Sequence, residues 1–289
     1  MKYPIKICRY RNSMGLAPNA LSSSGEISGA VIKVDGGYGC LQAWPELGDA
    51  PLESHLTALR DGQPTSLGVA CLRSCQLDSA ARKSGISLFS KLVIPDSHYL
   101  FSGLPSAGRL EEQLEFAKSR GIAKIKGTPD LESTLQAVEE ISEVARVRVD
   151  FNCSLDRTGF ENFARSLSRH ALEQIDFIED PVPYDPSTWQ ALASSSGLPL
   201  ALDWGPFDAE GGFGVRIWKP ARQLNPPPGN QYCITHNMDH AIGRRYAAYR
   251  AATFKGQLLQ CGLEPVDVLD DETGLGLDRE LAAMQWQRL

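Results

Sequence analysis

From about Pro95 onward the chain repeats one unit: a short apolar run, a polar or charged residue at its end, then a helical stretch. The runs His98–Phe101, Ile122–Lys126, Val147–Asn152, Ile175–Glu179, Leu198–Asp203, Val215–Lys219 and Tyr232–Thr235 have the length and the β-branched or aromatic content of strands. Leu258–Cys261 reads as an eighth. Helices are predicted between them at Leu110–Arg120, with Gly121 as C-cap, Leu131–Ala145, Gly159–Leu172, Pro186–Ser196 and Arg244–Phe254. Strand-helix alternation on this scale implies a parallel sheet with right-handed crossovers. Seven or eight such strands favour a closed barrel over an open sheet. The fifth and sixth helices are lean: Gly205–Gly214 and Ala221–Asn230 are rich in Gly and Pro instead.

The segment before this repeat has another rhythm. Ile5–Tyr10 and Ala30–Val34 read as strands, separated by Asn12–Gly25, a loop rich in Ser, Asn, Gly and Pro. Asp35-Gly36-Gly37-Tyr38-Gly39 is a turn signal leading into a third strand at Cys40-Leu41-Gln42. Leu52–Leu59 and Leu67–Gly85 carry helical apolar spacing. The expected division is an α+β unit over residues 1–94 and a barrel over residues 95–262. The tail, residues 263–289, has a predicted helix near Asp278–Trp286 and is expected to pack back on the first unit.

Composition narrows the function classes. The 289 residues carry a net charge of −6, which gives no long-range attraction to nucleic acid or anionic lipid. No apolar run reaches the roughly 18 residues of a membrane span, and Met1–Lys6 has no apolar stretch of the signal-peptide kind. The seven cysteines lack the spacing of a disulfide scaffold. Reduced thiols in a cytoplasmic protein, as a monomer or small homo-oligomer, are the expectation.

The chemistry lies at the strand tips. Residues two apart on a strand share a face. Lys124 and Lys126 therefore point the same way, as do Arg148, Asp150 and Asn152, Phe177 and Glu179, Ala201 and Asp203, and Ile217 and Lys219. One phase puts every tip charge inside the barrel mouth. Asp150, Glu179 and Asp203 come from three successive strands, and three converging carboxylates repel one another unless a cation binds. Oxygen ligands without His or Cys fit Mg²⁺, with Mn²⁺ as the alternative. Lys126 and Lys219 flank the acids from opposite sides. A lysine beside a dication and a second lysine has a depressed pKa, which suits a general base at the α-carbon of a metal-chelated carboxylate substrate. Lys219 would be its acid-base partner or an electrostatic stabiliser on the other face. Lys124 is either a third member of this catalytic set or a counter-ion to the acids.

The series Lys124-x-Lys126, Asp150-x-Asn152, Ile178-Glu179-Asp180-Pro181, Asp203 and Ile217-Trp218-Lys219-Pro220 resembles the enolase superfamily, in the muconate-lactonising-enzyme subgroup. The segments Gly37–Asp49, Val149–Leu155 and Thr235–Gly243 are similar to divergent bacterial members of the o-succinylbenzoate synthase family. The resemblance implies a modified (β/α)7β barrel with an N-terminal α+β capping domain, whose loop Asn12–Gly25 closes over the substrate. It implies Mg²⁺ held by Asp150, Glu179 and Asp203. It also implies Lys126 as the base and then the acid that expels water, and Lys219 as the stabiliser of the enediolate through cation–π contact. The implied reaction is dehydration of 2-succinyl-6-hydroxy-2,4-cyclohexadiene-1-carboxylate to o-succinylbenzoate in menaquinone biosynthesis. Trp204-Gly205 follows Asp203 where many relatives have an acid. Two other readings stay open: an N-acylamino acid racemase or dipeptide epimerase, and a barrel that binds a carboxylate without turnover.

Other residues read as structural. His236 and His240 are four apart, but no third nitrogen or sulfur ligand accompanies them, so they are expected to position the seventh strand tip. Cys71 and Cys75 share a helix face as buried thiols. Trp44-Pro45 and Trp218 read as packing residues.

Overall fold

The computed structural model describes residues 4–13, 26–101, 110–263 and 272–289. Strands β1 (Lys6–Ser13), β2 (Glu26–Val34) and β3 (Gly37–Gln42) form an antiparallel meander. A 3₁₀ turn at Pro45–Leu47 leads to helices α1 (Leu52–Arg60) and α2 (Ser66–Lys83). The sheet packs on α2 through glycine: a Cβ on Gly37 would stand 2.1 Å from the Cys75 carbonyl, so no side chain fits there. Cys71 and Cys75 are buried in this contact, and all seven cysteines are free thiols. Asn12 and Ser13 belong to β1, and the rest of the expected closing loop, residues 14–25, lies outside the described residues.

The second sheet has eight parallel strands. In chain order the elements are β4 (Tyr99–Leu100), α3 (Leu110–Arg120), β5 (Ile122–Lys126), α4 (Leu131–Ser142), β6 (Arg146–Asp150), α5 (Arg157–Ser166), α6 (Arg169–Gln174), β7 (Ile175–Glu179), α7 (Pro186–Ser196), β8 (Leu200–Leu202), β9 (Val215–Trp218), β10 (Gln231–Ile234), α8 (Ala241–Ala252) and β11 (Gln257–Leu258). Neighbours in the sheet follow chain order from β4 to β11. The ends then meet. The His98 N–H donates to the Cys261 carbonyl and the Cys261 N–H to the Asp96 carbonyl, both at 2.9 Å, which closes the sheet into a barrel. No helix stands between β8 and β9 or between β9 and β10 among the described residues, in keeping with the Gly- and Pro-rich sequence there.

The alternation of faces is what aims the site. Phe177, Ala201, Val215, Ile217 and Cys233 form a buried cluster inside the barrel. The other phase, including Val147, Val149, Ile178, Leu200 and Leu202, packs outward against Val138, Phe160, Trp189 and Leu192 of the helices. Trp218 also points outward, fully buried beside Phe254 and Tyr246. Ile217 below Lys219 and Phe177 below Glu179 therefore fix which way those charges face.

One predicted helix is two. Gly159–Leu172 breaks at Leu167 into α5 and α6. Ser168 caps α6 by accepting the Ala171 N–H, while its own N–H and hydroxyl donate to the Glu139 carboxylate of α4. That side-chain cap from a distant element outweighs the continuous helical spacing. The tail contributes α9 (Asp278–Ala283) and β12 (Gln287–Arg288), and β12 pairs antiparallel with β1. No helix among the described residues is long and apolar enough to cross a membrane.

Candidate active site

Each charged tip sits where its strand ends. Lys126 closes β5, Asp150 closes β6 and Glu179 closes β7, with Lys126 paired to Asp150 and Asp150 to Glu179 in register. Asp203 follows β8 and Lys219 follows β9. The chain then turns sharply over the rim: Asn152, Cys153 and Asp180 all adopt positive φ, and at Asp180 it is +45°. That left-handed turn places the Asp180 carboxylate in the same cluster as that of Glu179, although adjacent strand residues ordinarily face opposite ways.

All six expected side chains line one cavity of about 80 Å³. Lys124 Nζ lies 2.8 Å from Asp150 and 2.7 Å from Glu179. Lys126 Nζ lies 2.5 Å from Asp150 and donates to Asn152 Oδ1 at 3.0 Å. Lys219 pairs with Asp203. The acids lie in the middle of the row, with Lys126 and Lys219 at its two ends. The Lys124 side chain is 9% exposed and that of Lys126 25%, so Lys126 is the more open of the pair to an incoming molecule. A larger crevice of about 470 Å³ lies at the other end of the barrel, among Trp218, Tyr232, Arg250 and Phe254, and no acid lines it.

Burial sets the electrostatics. It penalises the Lys124 ammonium, but Asp150 and Glu179 outweigh that and hold its pKa above the ordinary lysine value. It likewise opposes the charged form of Asp150, which Lys124 and Lys126 nevertheless keep well below the usual carboxylate range. Glu179 goes the other way: burial and the neighbouring Asp150 push it up to about 7. Burial, then Asp203 and Glu179, raise Asp180 well above its usual value. Without a cation, mutual repulsion and burial thus hold Glu179 and Asp180 toward their neutral forms, and a cation bound among them would favour their ionised forms.

The acids that each bring an oxygen within 4.8 Å of one another are Glu179, Asp180 and Asp203, not the expected set with Asp150. Hydrogen bonding separates their roles. Asp180 Oδ1 accepts the Asp203 N–H and Oδ2 the Trp204 N–H, both at 3.0 Å, so both of its oxygens are already engaged. Glu179 Oε1, by contrast, is buried with no hydrogen-bond partner among the described residues. An orphaned buried carboxylate oxygen amid hard oxygen donors fits a Mg²⁺ ligand.

Several lining residues do not stand out in the sequence. Trp44 and Leu47 reach the cavity from the N-terminal unit, so Trp44 is a wall of the site as well as a packing residue. Gln42 and Trp44 donate to the Asn237 carbonyl at 2.7 and 3.4 Å, docking that unit on the tip of β10. Asp49 accepts a two-pronged bond from Arg222 at 2.6 and 2.7 Å, and the Arg222 guanidinium stacks 4.5 Å from the Trp204 ring. Trp204 also lines the cavity, with Lys219 Nζ 5.5 Å from its ring. His236 lines the cavity and accepts the Met238 N–H at Nδ1. His240 instead caps α8 and meets Glu280, so the two histidines form no pair. His98 lines the cavity too, and its place two residues before Leu100, on the inward phase of β4, was the available signal.

Two family models match separate segments of the chain. Residues 5–81 match the family described as "O-succinylbenzoate synthase, N-terminal domain", and residues 109–205 match "Enolase C-terminal domain-like". An o-succinylbenzoate synthase of Bdellovibrio bacteriovorus is 26% identical over 315 residues, covering 94% of this chain and 94% of that protein. Among solved structures, a dipeptide epimerase from Enterococcus faecalis complexed with Mg and L-Leu-L-Tyr has a TM-score of 0.77 at 16% identity, covering 96% of this chain and 99% of that one. An o-succinylbenzoate synthase from Thermosynechococcus elongatus with Mg in its active site has a TM-score of 0.69 at 17% identity, covering 96% and 98%. At these identities the structural likeness shows the fold.

Proposed function

This chain belongs to the o-succinylbenzoate synthase family of the enolase superfamily, and from that premise we propose that it is a Mg²⁺-dependent hydro-lyase that forms o-succinylbenzoate. The substrate is 2-succinyl-6-hydroxy-2,4-cyclohexadiene-1-carboxylate, and the step belongs to menaquinone biosynthesis in a cytoplasmic setting. Residues 1–94 with the tail 263–289 act as the cap, and residues 95–262 as the catalytic barrel. The observation that carries this reading is the match of the N-terminal unit to the o-succinylbenzoate synthase domain, joined to two lysines that flank one carboxylate cluster.

Asp150, Glu179 and Asp203 are the residues that would hold Mg²⁺, with Asp180 bracing Asp203 from behind. Mg²⁺ bound there supplies the positive charge that lowers the acidity barrier of a carboxylate α-proton. Lys126 Nζ takes the proton from C1 of the substrate, and the electron pair delocalises into the ring carboxylate. Lys219, at the opposite end of the row of acids, would offset the charge that develops. Lys126 returns the proton to the C6 hydroxyl as the C–O bond breaks, so water leaves from the face that lost the proton and the ring becomes aromatic. Lys124, buried between Asp150 and Glu179, serves as their counter-ion rather than as a proton carrier.

The test is o-succinylbenzoate formation with Mg²⁺ for wild type and Lys126→Ala. Turnover lost in the variant supports the assignment; equal rates refute it. A second reading, epimerisation of a dipeptide, is favoured by the lysines on both flanks and by the epimerase fold match. Lys219→Arg separates the two: partial dehydration survives the change, whereas two-base epimerisation does not.

A further inference from the structure

His98 is a buried histidine that neither the metal nor the proton transfer uses. It stands at the seam where the barrel closes, just before β4. Counted around the eight strands, β4 is four strands from β8 in either direction, so His98 faces Asp203 across the mouth.

Its neighbour below is Arg148, fully buried on the inward phase of β6. The Arg148 Nε–H donates to Asp176 at 2.7 Å, and Nη1 donates to the Gln260 carbonyl at 2.7 Å. Asp176 is the extra residue where β7 slips register against β6, and it also takes Arg146 at 2.8 Å. Arg148 is therefore clamped in place. Its Nη1 also lies 2.8 Å from His98 Nδ1.

A guanidinium has no acceptor, so His98 Nδ1 must accept this bond. A neutral imidazole that accepts at Nδ1 carries its one proton on Nε2. Burial, then Arg148 and Lys124, hold the His98 pKa well below the ordinary histidine value, so the ring stays neutral. Nε2 has no hydrogen-bond partner among the described residues, and His98 lines the cavity. Room beside it is kept by Gly262: a Cβ there would stand 2.8 Å from His98 Cε1 and 3.1 Å from Nε2. A role as mere acceptor for Arg148 would be met equally by Asn. What imidazole adds is a donor on the opposite edge of the ring, facing the cavity.

We propose that His98 is a substrate-binding residue whose Nε2–H donates to an acceptor oxygen of the bound carboxylate substrate, on the side of the cavity away from Asp203, and that Arg148 is the positioning residue that fixes its tautomer. This rests on the reading of the cavity as the site of a carboxylate substrate.

The test compares wild type with His98→Asn, which can still accept from Arg148 but is too short to present a donor to the cavity. Expected are an unchanged Mg²⁺ titration, KM raised about tenfold and kcat within about threefold, the loss of one neutral hydrogen bond. An unchanged KM in the folded variant overturns the proposal. A structural role alone would lower Tm and leave KM where it was. Should the variant fail to fold, ¹⁵N-imidazole spectra of the Mg²⁺-loaded wild type decide. The His98 signal must show the Nε2–H tautomer and must shift when o-succinylbenzoate is added. If it shifts with a dipeptide but not with o-succinylbenzoate, the His98 assignment stands and the dehydratase reading falls. If it shifts with neither, the His98 assignment falls.

Discussion

Asp180 holds Asp203 by its backbone: the Asp180 carboxylate accepts the Asp203 N–H at 3.0 Å and, with its other oxygen, the next N–H along the chain. The brace needs both oxygens as acceptors. Asp180→Asn replaces one of them with an NH₂ that cannot accept, so either the Asp203 or the Trp204 N–H loses its partner. The tip of β8 then loosens, and with it the aim of the Asp203 carboxylate. Groups that orient ligands typically change metal affinity by roughly 10–100-fold when altered. Calorimetric Mg²⁺ titration of Asp180→Asn is expected to show weakening in that range. Wild-type affinity in the variant would mean that β8 holds Asp203 without help.

The two lysines of β5 are expected to fail in different ways. Lys124 lies between two carboxylates that are themselves fully buried. Lys124→Met leaves Glu179 without its nearest cation, and breaking a buried pair from one side costs about 3–5 kcal/mol. The loss is expected in urea unfolding with EDTA present, and Mg²⁺ should restore part of it by binding only the folded state. Lys126→Met, at a more open position, should cost much less stability and remove turnover instead. Equal stability losses for the two variants would show that both lysines are counter-ions.

Much of this arrangement was legible in the sequence because strand alternation is a local rule. Once Ile217 or Phe177 is placed inside, Lys219 and Glu179 two residues on must follow. Helix α7 begins and ends where its signals stand, with Asp185 capping, Pro186 at the first position and Gly197 left-handed at the end. The misses share a different cause. Ser168 breaks the predicted helix because Glu139, on another helix, takes its N–H and hydroxyl. His98 becomes part of the cavity only when Cys261, from the far end of the barrel, closes the seam beside it. Trp44 and Asp49 reach the site through a docking contact with residues 237 and 222. Asp180 enters the acid cluster through one left-handed φ. Each depends on contacts between distant segments, which spacing along a chain does not encode.

Asp49 and Arg222 join the N-terminal unit to the barrel beside the cavity. The pair is two-pronged, each side chain is 14% exposed, and Arg222 stacks on Trp204. Such geometry should make the two residues energetically coupled rather than merely adjacent. A double-mutant cycle of Asp49→Ala and Arg222→Ala, followed by urea unfolding, is expected to give a coupling within about 0.5–3 kcal/mol. Both single variants should also raise KM, since Trp44 and Leu47 approach the cavity from the same unit as Asp49. Additive single effects would mean that the pair does not tie the units together.

His98 gives the fold a predictable acid sensitivity. Its pKa in the folded chain lies well below the ordinary histidine value of about 6.5, owing first to burial and then to Arg148 and Lys124. Between those two values the unfolded chain binds a proton that the folded chain refuses. The contribution of neutral His98 is therefore complete above the unfolded pKa and is lost as pH falls below it toward the folded one. His98→Gln removes that site from both states. Urea unfolding across a pH series should show stability falling less steeply below about pH 6.5 in His98→Gln than in wild type, by up to about 1.4 kcal/mol per pH unit, the value for one proton. His240, which burial also pushes down, contributes the same slope to both chains and cancels in the comparison. Parallel profiles would mean that His98 titrates normally in the fold, and the Arg148 contact would then not hold it neutral.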